Sequence, residues 1–457
     1  MSYKYDSLIL QIGRLDTNIN NKIKFTFDNK EYEAPLSSIA LKNILSDKSP
    51  NVKAILLYPV SLPLNSIFKG RNENGWYKKI NEILTSDDGK ASYLKEPQVF
   101  FKDHPHSKLV DSFFCIHSLG VYEDIKFETN IQDVVLYILA RLIDEYIQND
   151  FRYKNIYIDI SSGLNIYIAA LLEALRYFQT LEKFFTFSNE SLECFIIYTD
   201  PIIGSASTTG CNIYKYKSEV KAFFSSPISN EDLSQGLPKK IIEHNLGKDR
   251  GLKNNLLKLL ENFLILYSAF ANAIPLAFYN FDYPSLDNVQ NFIKEFIGMM
   301  INKIEENFIK SPNFEFKLFI KTILSLFFLR GLINKIQENK ISKKCITVNE
   351  IFNNTTKIYE NLNLNIQSGL IKYELSNTFK NQNIPLNIKD NEDFKKLNDI
   401  LHQAGNDNLI ERNFFAHAGF ERTITLLKKE NNDICLKYDE TKLGEIAKIL
   451  KSRVKGI

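Results

Sequence analysis

The chain predicts an α/β Rossmann-like N-terminal part followed by an all-α C-terminal part. Three observations carry this. Short apolar runs alternate with amphipathic stretches as far as about Lys221, the pattern of an open sheet covered by helices. Beyond that point strand-like runs almost vanish and apolar residues recur at helical spacing. The length, 457 residues, exceeds what one ordinary core organises, so at least two domains follow.

The first strand is S-L-I-L-Q-I from Ser7, and K-I-K-F-T-F, D-N-K and E-Y-E-A between Lys22 and Ala34 read as a hairpin. A-I-L-L-Y-P-V from Ala54, F-F-C-I-H-S-L from Phe113, N-I-Y-I-D-I from Asn155 and C-F-I-I-Y-T from Cys194 suit buried strands. Helical periodicity from Ile131 to Ile147 and from Leu164 to Phe178 separates several of them. The turn-rich S-S-P-I-S-N stretch from Ser225 then introduces the helical part. There Leu252, Leu256, Leu259, Leu260, Phe263 and Leu266 repeat at helical spacing, as do stretches from Val289 to Phe308 and Phe316 to Ile336. The Asn-rich part from Asn349 to Asn391 reads as helix mixed with loop.

A hydrophobic content of 44% with 24% charged residues describes a folded soluble protein, and a net charge of +3 means that any RNA contact comes from local basic groups. Cys115, Cys194, Cys211, Cys345 and Cys435 lie far apart without a C-x-x-C, which argues against a zinc ribbon, a redox motif or a disulfide framework and fits a reducing cytoplasm. The start M-S-Y-K-Y-D does not read as a signal peptide. The uncharged run Asn262 to Phe281 approaches membrane-spanning length but contains three asparagines and Pro275, so a buried helix broken near the proline is expected. His104-Pro105-His106 lacks a third ligand at suitable spacing and reads as a surface loop.

The window E-R-N-F-F-A-H-A-G-F, from Glu411 to Phe420, holds the side chains needed to cut RNA without a metal. RNA brings its own nucleophile, the 2'-hydroxyl, so a protein has only to move protons, position the phosphate and stabilise charge on its oxygens. Arg412 offers a permanently charged fork for phosphate, Asn413 a polar contact, and His417 a group that exchanges protons near neutrality. On a helix, Asn413 and His417 share a face, while Arg412 stands about 140° from His417. One copy is therefore a poor site; two copies about a two-fold axis would pool their groups, with the small pair Ala418 and Gly419 permitting close helix approach. The same residues also suit an ordinary amphipathic helix whose core stripe is Phe414, Phe415 and Phe420.

A second window, I-D-I-S-S-G-L-N, joins a strand to a helix through a turn holding Asp159, Ser161, Ser162, Gly163 and Asn165. Backbone N–H groups at a helix start, serine hydroxyls and a glycine suit an anion, although a plain capped helix start needs the same residues. Neither a Walker A sequence nor G-x-G-x-x-G is present, which disfavours ordinary nucleotide sites. Gly13 and Arg14, after the first strand, and Y-P-V-S from Tyr58 to Ser61, offering a ring and a hydroxyl, are expected along the same sheet edge.

An α/β domain with a D-x-S-x-G-x-N turn, joined to a helical domain bearing R-N-x-x-x-H and then A-G, resembles the accessory ribonucleases of type III CRISPR systems, the CARF plus HEPN family. The resemblance covers the whole layout but only these two windows in residues. It implies a CARF domain over 1–220, a linker over 221–250, and a HEPN ribonuclease domain over 251–457 with a helical insertion around 284–391. It implies catalysis by Arg412, Asn413 and His417, with Asp159, Ser161, Ser162, Gly163 and Asn165 at the ligand turn and Gly13 and Arg14 opposite. The activator implied is a cyclic oligoadenylate, with cyclic tetra-adenylate favoured; the substrate is single-stranded RNA, cut by a homodimer without metal in antiviral defence. The hairpin near Lys22 to Ala34 and the helical insertion would build higher homo-oligomers, such as a trimer of dimers. The turn departs from the commoner family turn, where threonine and histidine stand near Ser161 and Ser162.

Two other readings use the same residues. One is a ligand-sensing regulator that holds nucleic acid or a partner without cutting, although the back half lacks a basic recognition helix. The other is a ring nuclease whose front half degrades its cyclic ligand.

Overall fold

The computed structural model describes residues 5–15, 22–65, 75–188, 192–200, 210–220, 225–247, 249–338, 345–380, 393–401, 409, 411–430 and 433–456. Residues 221–224 and 248 of the expected linker and 339–344 and 381–391 of the expected insertion lie outside them. The chain divides into two compact units, one of residues 1–180, 191–221 and 294–316, the other of 181–190, 222–293 and 317–457.

The first unit contains β1 (Ser7–Ile12), β2 (Ile23–Phe27), β3 (Lys30–Ala34), β4 (Val52–Pro59), β5 (Ser112–Ile116), β6 (Gly120–Tyr122), β7 (Ile125–Phe127), β8 (Asn155–Asp159), β9 (Glu193–Thr199) and β10 (Cys211–Ser218). Eight of them form one sheet in the order β3-β2-β10-β9-β8-β1-β4-β5. The strands β5, β4, β1, β8 and β9 run parallel, and each corresponds to an expected apolar run. Burial on both faces explains the mostly apolar composition of β1, β4 and β8: every residue of β1 is buried. Ile9, Ala54, Leu56, Tyr58 and Cys115 share one core with Ile39, Leu41 and Ile44 of helix α1 (Ser37–Ser46). Alternation sends Leu8, Leu10, Ile55, Leu57, Ile156 and Ile158, also buried, to the opposite face.

Helix α2 (Ile131–Gln148) opens with a capping box between Asn130 and Asp133, and α3 (Asn165–Thr186) runs past the expected end at Phe178. The β2–β3 hairpin turns through Asp28 and Asn29, both with positive φ (49° and 62°), the geometry of a tight two-residue hairpin. Sequence reasoning missed β10, an antiparallel partner of β9, because only Cys211 and Ile213 of its eight residues are buried. It also missed the β6–β7 hairpin, whose strands have three residues each.

The order of the parallel strands matters for function. The chain moves outward from β1 through β4 to β5, then returns to β8 beside β1 and continues to β9. That reversal places a topological switch point between the carboxyl ends of β1 and β8, where open α/β sheets hold ligands.

The expected later helices are α4 (Arg250–Ala271), α5 (Leu286–Glu305) and α6 (Phe316–Glu338); α7 (Asn365–Leu375), α8 (Glu411–Ala416) and α9 (Leu443–Ser452) follow. Asp249 caps α4 by accepting the Leu252 N–H at 2.8 Å, and all six apolar positions read from the sequence are buried along it. The helix stops at Ala271 and a short one resumes at Ala277, so Pro275 lies in the break. Among the described residues no helix is long and apolar enough to cross a membrane. The core of the second unit is aromatic: Phe263, Phe270 and Phe328 meet edge to face, and Tyr359 stacks on Phe270 at 4.9 Å.

Two expectations are corrected here. The C-terminal part is largely helical but not all helix, since β11 (Ile346–Thr347), β12 (Lys395–Lys396), β13 (Thr425–Glu430) and β14 (Asp433–Tyr438) form a sheet in the order β11-β14-β13-β12. Strands of two to six residues carry too few alternations to stand out from helical periodicity. The cysteines are not all apart either: Cys345 and Cys435 form a disulfide with Cα atoms 5.7 Å apart. Pairing of β11 with β14 brings together residues 90 positions apart in the sequence, which spacing alone does not reveal. Cys115, Cys194 and Cys211 are buried.

Candidate active site and ligand cradle

In the first unit the residues singled out after β1 and β8 converge on the switch point. Gln11 and Asp159 are register partners on adjacent strands. Beneath the turn, Ser37 Oγ donates to Asp159 Oδ2 at 2.6 Å, Ser38 Oγ donates to Gln11 Oε1 at 2.5 Å, and Gln11 Nε2 donates to Ser37 Oγ at 3.2 Å. Asp159 Oδ1 accepts the Ser161 N–H at 2.9 Å. Asp159 is thus fully buried and supports the turn from below. Burial pushes its carboxyl up, against the downward pull of the Ser37 and Ser161 hydrogen bonds and the nearby Arg14 charge.

Gly163 and Asn165 are exposed at the start of α3, whereas Ser162 is buried and Ser161 and Arg14 are half-buried. Gly163 has φ +77° with open space where a Cβ would stand, so bare backbone faces that space. Gly13 is needed for a different reason: a Cβ would lie 2.4 Å from the Tyr58 ring. The Tyr58 ring is fully buried, stacked on Phe101 at 4.4 Å, which corrects its expected place on the cradle surface.

Ser118 and Tyr167 were missed. The Ser61 N–H donates to Ser118 Oγ at 2.7 Å and the Leu119 N–H to Tyr167 Oη at 3.2 Å, tying the loops after β4 and β5 to the first turn of α3. Nothing in their spacing marks them, because they meet only through the strand order.

His104-Pro105-His106 is also corrected, from surface loop to core. Both imidazoles are buried, His104 Nδ1 lies 3.4 Å from Tyr58 Oη, and His104 packs edge-on against Trp76 at 4.6 Å. Burial drives His106 down to about 4, with the Arg14 charge adding to the fall and a bond to the Arg14 backbone opposing it.

In the second unit the R-N-x-x-x-H window is a short helix and a reversal. Helix α8 ends at Ala416, one residue before His417. The His417 N–H still donates to the Asn413 carbonyl at 3.0 Å, so Asn413 and His417 remain one helical turn apart. Left-handed Ala418 (φ 48°) and Gly419 (φ 79°) then turn the chain back, and the Gly419 N–H closes on the Phe414 carbonyl at 2.8 Å. This pair, expected to let two copies approach, is instead buried in the unit's own core, with Ile274 and Tyr438 against Gly419. Phe414 and Phe420 are buried, while the half-buried Phe415 lies under the Arg453 guanidinium at 4.8 Å.

Arg412 is exposed, and among the described residues none pairs with it. Its neighbour Glu411 is instead held by Arg453 at 2.9 Å. Asn413 is half-buried, and the His417 side chain is 47% exposed. His417 Nδ1 lies 3.2 Å from Oε2 of Glu374, a buried residue of α7 that sequence reasoning did not single out. An unpaired cation and a proton-exchanging group thus reach solvent from one short segment. Among the described residues, the one group of metal-ligating side chains whose donor atoms converge is Cys345, Glu430 and Cys435, and its sulfurs are bonded to each other.

A doubly wound unit with a polar turn at its switch point and a largely helical unit presenting arginine and histidine define a ligand-sensing nuclease. Comparison with protein families gives the same answer. Models described as CRISPR system endoribonuclease Csx1, CARF domain, and CRISPR system endoribonuclease Csx1, HEPN domain, match residues 7–201 and 364–440. The chain belongs to this CRISPR-associated CARF plus HEPN endoribonuclease family. No curated protein matches it.

Proposed function

We propose that the protein is a cyclic oligoadenylate-activated endoribonuclease that cuts single-stranded RNA without a metal, as a homodimer, in antiviral defence. The observation that carries this is the pairing of an exposed, unneutralised Arg412 with a half-exposed His417 in the segment that the HEPN model matches. In this reading the 2'-oxygen of the RNA attacks phosphorus, the P–O5' bond breaks, and a 2',3'-cyclic phosphate and a 5'-hydroxyl result. One His417 imidazole takes the 2'-hydroxyl proton and a protonated imidazole of the second copy delivers one to the departing 5'-oxygen. Arg412 neutralises the phosphoryl oxygens and Asn413 adds a polar contact.

The cradle reading has the same footing. Gly13, Arg14, Ser161, Ser162, Gly163 and Asn165 receive the activator, with Asp159 holding the turn beneath it. The exposed backbone at Gly163, the amino end of α3 and the half-buried Arg14 suit an anionic ring of adenylates, and cyclic tetra-adenylate is the ring we favour. Binding shifts the nuclease only through a difference in the activator's affinity for the two states.

The test is RNA cleavage in chelator with a panel of cyclic oligoadenylates. Stimulated cutting that is lost in His417→Ala, with activator binding retained, supports the proposal. Full cutting by His417→Ala overturns it, and ligand loss without RNA products points to a ring nuclease.

A further inference from the structure

The inward face of α7 is Ser368, Ile371, Glu374 and Leu375. A carboxylate on such a stripe is costly to bury unless something receives it. Glu374 is buried, and its hydrogen-bonding partner among the described residues is His417 Nδ1, 3.2 Å from Oε2. The other charged groups nearby are occupied elsewhere. Lys372 on the same helix is bound to Glu360, buried Glu421 accepts from Thr423 N and Oγ1 at 2.9 and 2.5 Å, and Glu411 is held by Arg453.

We propose that Glu374 is a positioning residue for the nuclease: it accepts the Nδ1 proton of His417 and so leaves Nε2 as the nitrogen that exchanges protons with RNA. This rests on the reading of His417 given above. A carboxylate at Nδ1 does three things. It selects the Nδ1–H tautomer, the minor form of a free imidazole, and it steadies the positive charge that appears when Nε2 takes the 2'-hydroxyl proton. It also fixes the ring's direction on a short turn that has no further helix to hold it. Glu374 reaches neither RNA nor reacting atoms, so its effect passes entirely through His417.

The full-length protein with ¹⁵N-labelled histidines tests this, with the His417 signals assigned by their absence in His417→Ala. Glu374 predicts an Nδ1–H tautomer for neutral His417, reverting to Nε2–H in Glu374→Ala. For activated RNA cleavage it predicts a kcat lower by roughly a hundredfold in Glu374→Ala, a smaller loss in Glu374→Gln, which keeps an acceptor, and an unchanged KM. Wild-type kcat in Glu374→Ala, in a protein that His417→Ala inactivates, overturns the inference and leaves the nuclease reading standing. Full cutting by His417→Ala overturns both. A parallel fall in thermal stability and in kcat, with no change of tautomer, also overturns it.

Discussion

Replacing Gly419 by alanine tests whether the turn after His417 has only one workable geometry. Gly419 sits at φ +79°, directly after left-handed Ala418. Placing a side chain in that region costs about 1–2 kcal/mol. The new Cβ would also lie 2.4 Å from Ile274 Cγ2 and 2.6 Å from Tyr438 Oη, well inside van der Waals contact. Both neighbours are buried, at 0% and 1% exposure, so neither can swing away, and overpacking of this kind adds about 1–3 kcal/mol. Gly419→Ala is therefore expected to lose about 2–5 kcal/mol in urea unfolding followed by circular dichroism. Because the Gly419 N–H closes the reversal onto the Phe414 carbonyl, the same change displaces His417 and lowers RNA cleavage under folding conditions. A wild-type urea midpoint with wild-type cleavage would refute this account of the turn.

Three further outcomes follow from other sites. Because the folded state holds His106 near 4, the unfolded chain takes up the proton first; its stability contribution is complete above about 6.5 and is lost as the pH falls toward 4. Urea unfolding followed by Trp76, the chain's single tryptophan, should lose about 2 kcal/mol from this group between pH 7 and 5, and His106→Gln should flatten the slope. Arg412→Ala should lower the RNA cleavage rate by about 10²–10³ while leaving the unfolding midpoint unchanged, since the side chain is exposed. Cys345→Ser opens a cross-link across 90 residues and should cost about 2–5 kcal/mol under oxidising conditions and nothing in excess reductant, read as thermal midpoints.

What was legible in the sequence divides along physical lines. Strands buried on both faces, such as β4, announce themselves as apolar runs, and α4 does so by the spacing of six apolar residues. Strand β10 keeps only Cys211 and Ile213 buried, and β11 and β12 have two residues each, so none of the three gives a local signal. At the candidate sites, the groups that sequence singles out lie within one turn of chain: Arg412 with His417, and Ser161 to Asn165. Groups that meet through tertiary structure were not. Glu374 lies 43 positions from His417, Ser61 lies 57 from Ser118, and Cys345 lies 90 from Cys435. Tyr58 and His104-Pro105-His106 misled in the opposite direction, because polar rings packed into a core look the same in sequence as exposed ones.

The central claim is that RNA supplies the nucleophile and the protein moves protons without a metal. An activated cleavage assay in chelator, comparing an RNA oligonucleotide with the same oligonucleotide carrying one 2'-deoxy residue at the cut position, tests it most directly. The account predicts 2',3'-cyclic phosphate ends from the first and no cut at that position in the second. Equal cutting of both, or cutting that chelator abolishes and Mg²⁺ restores, would contradict it.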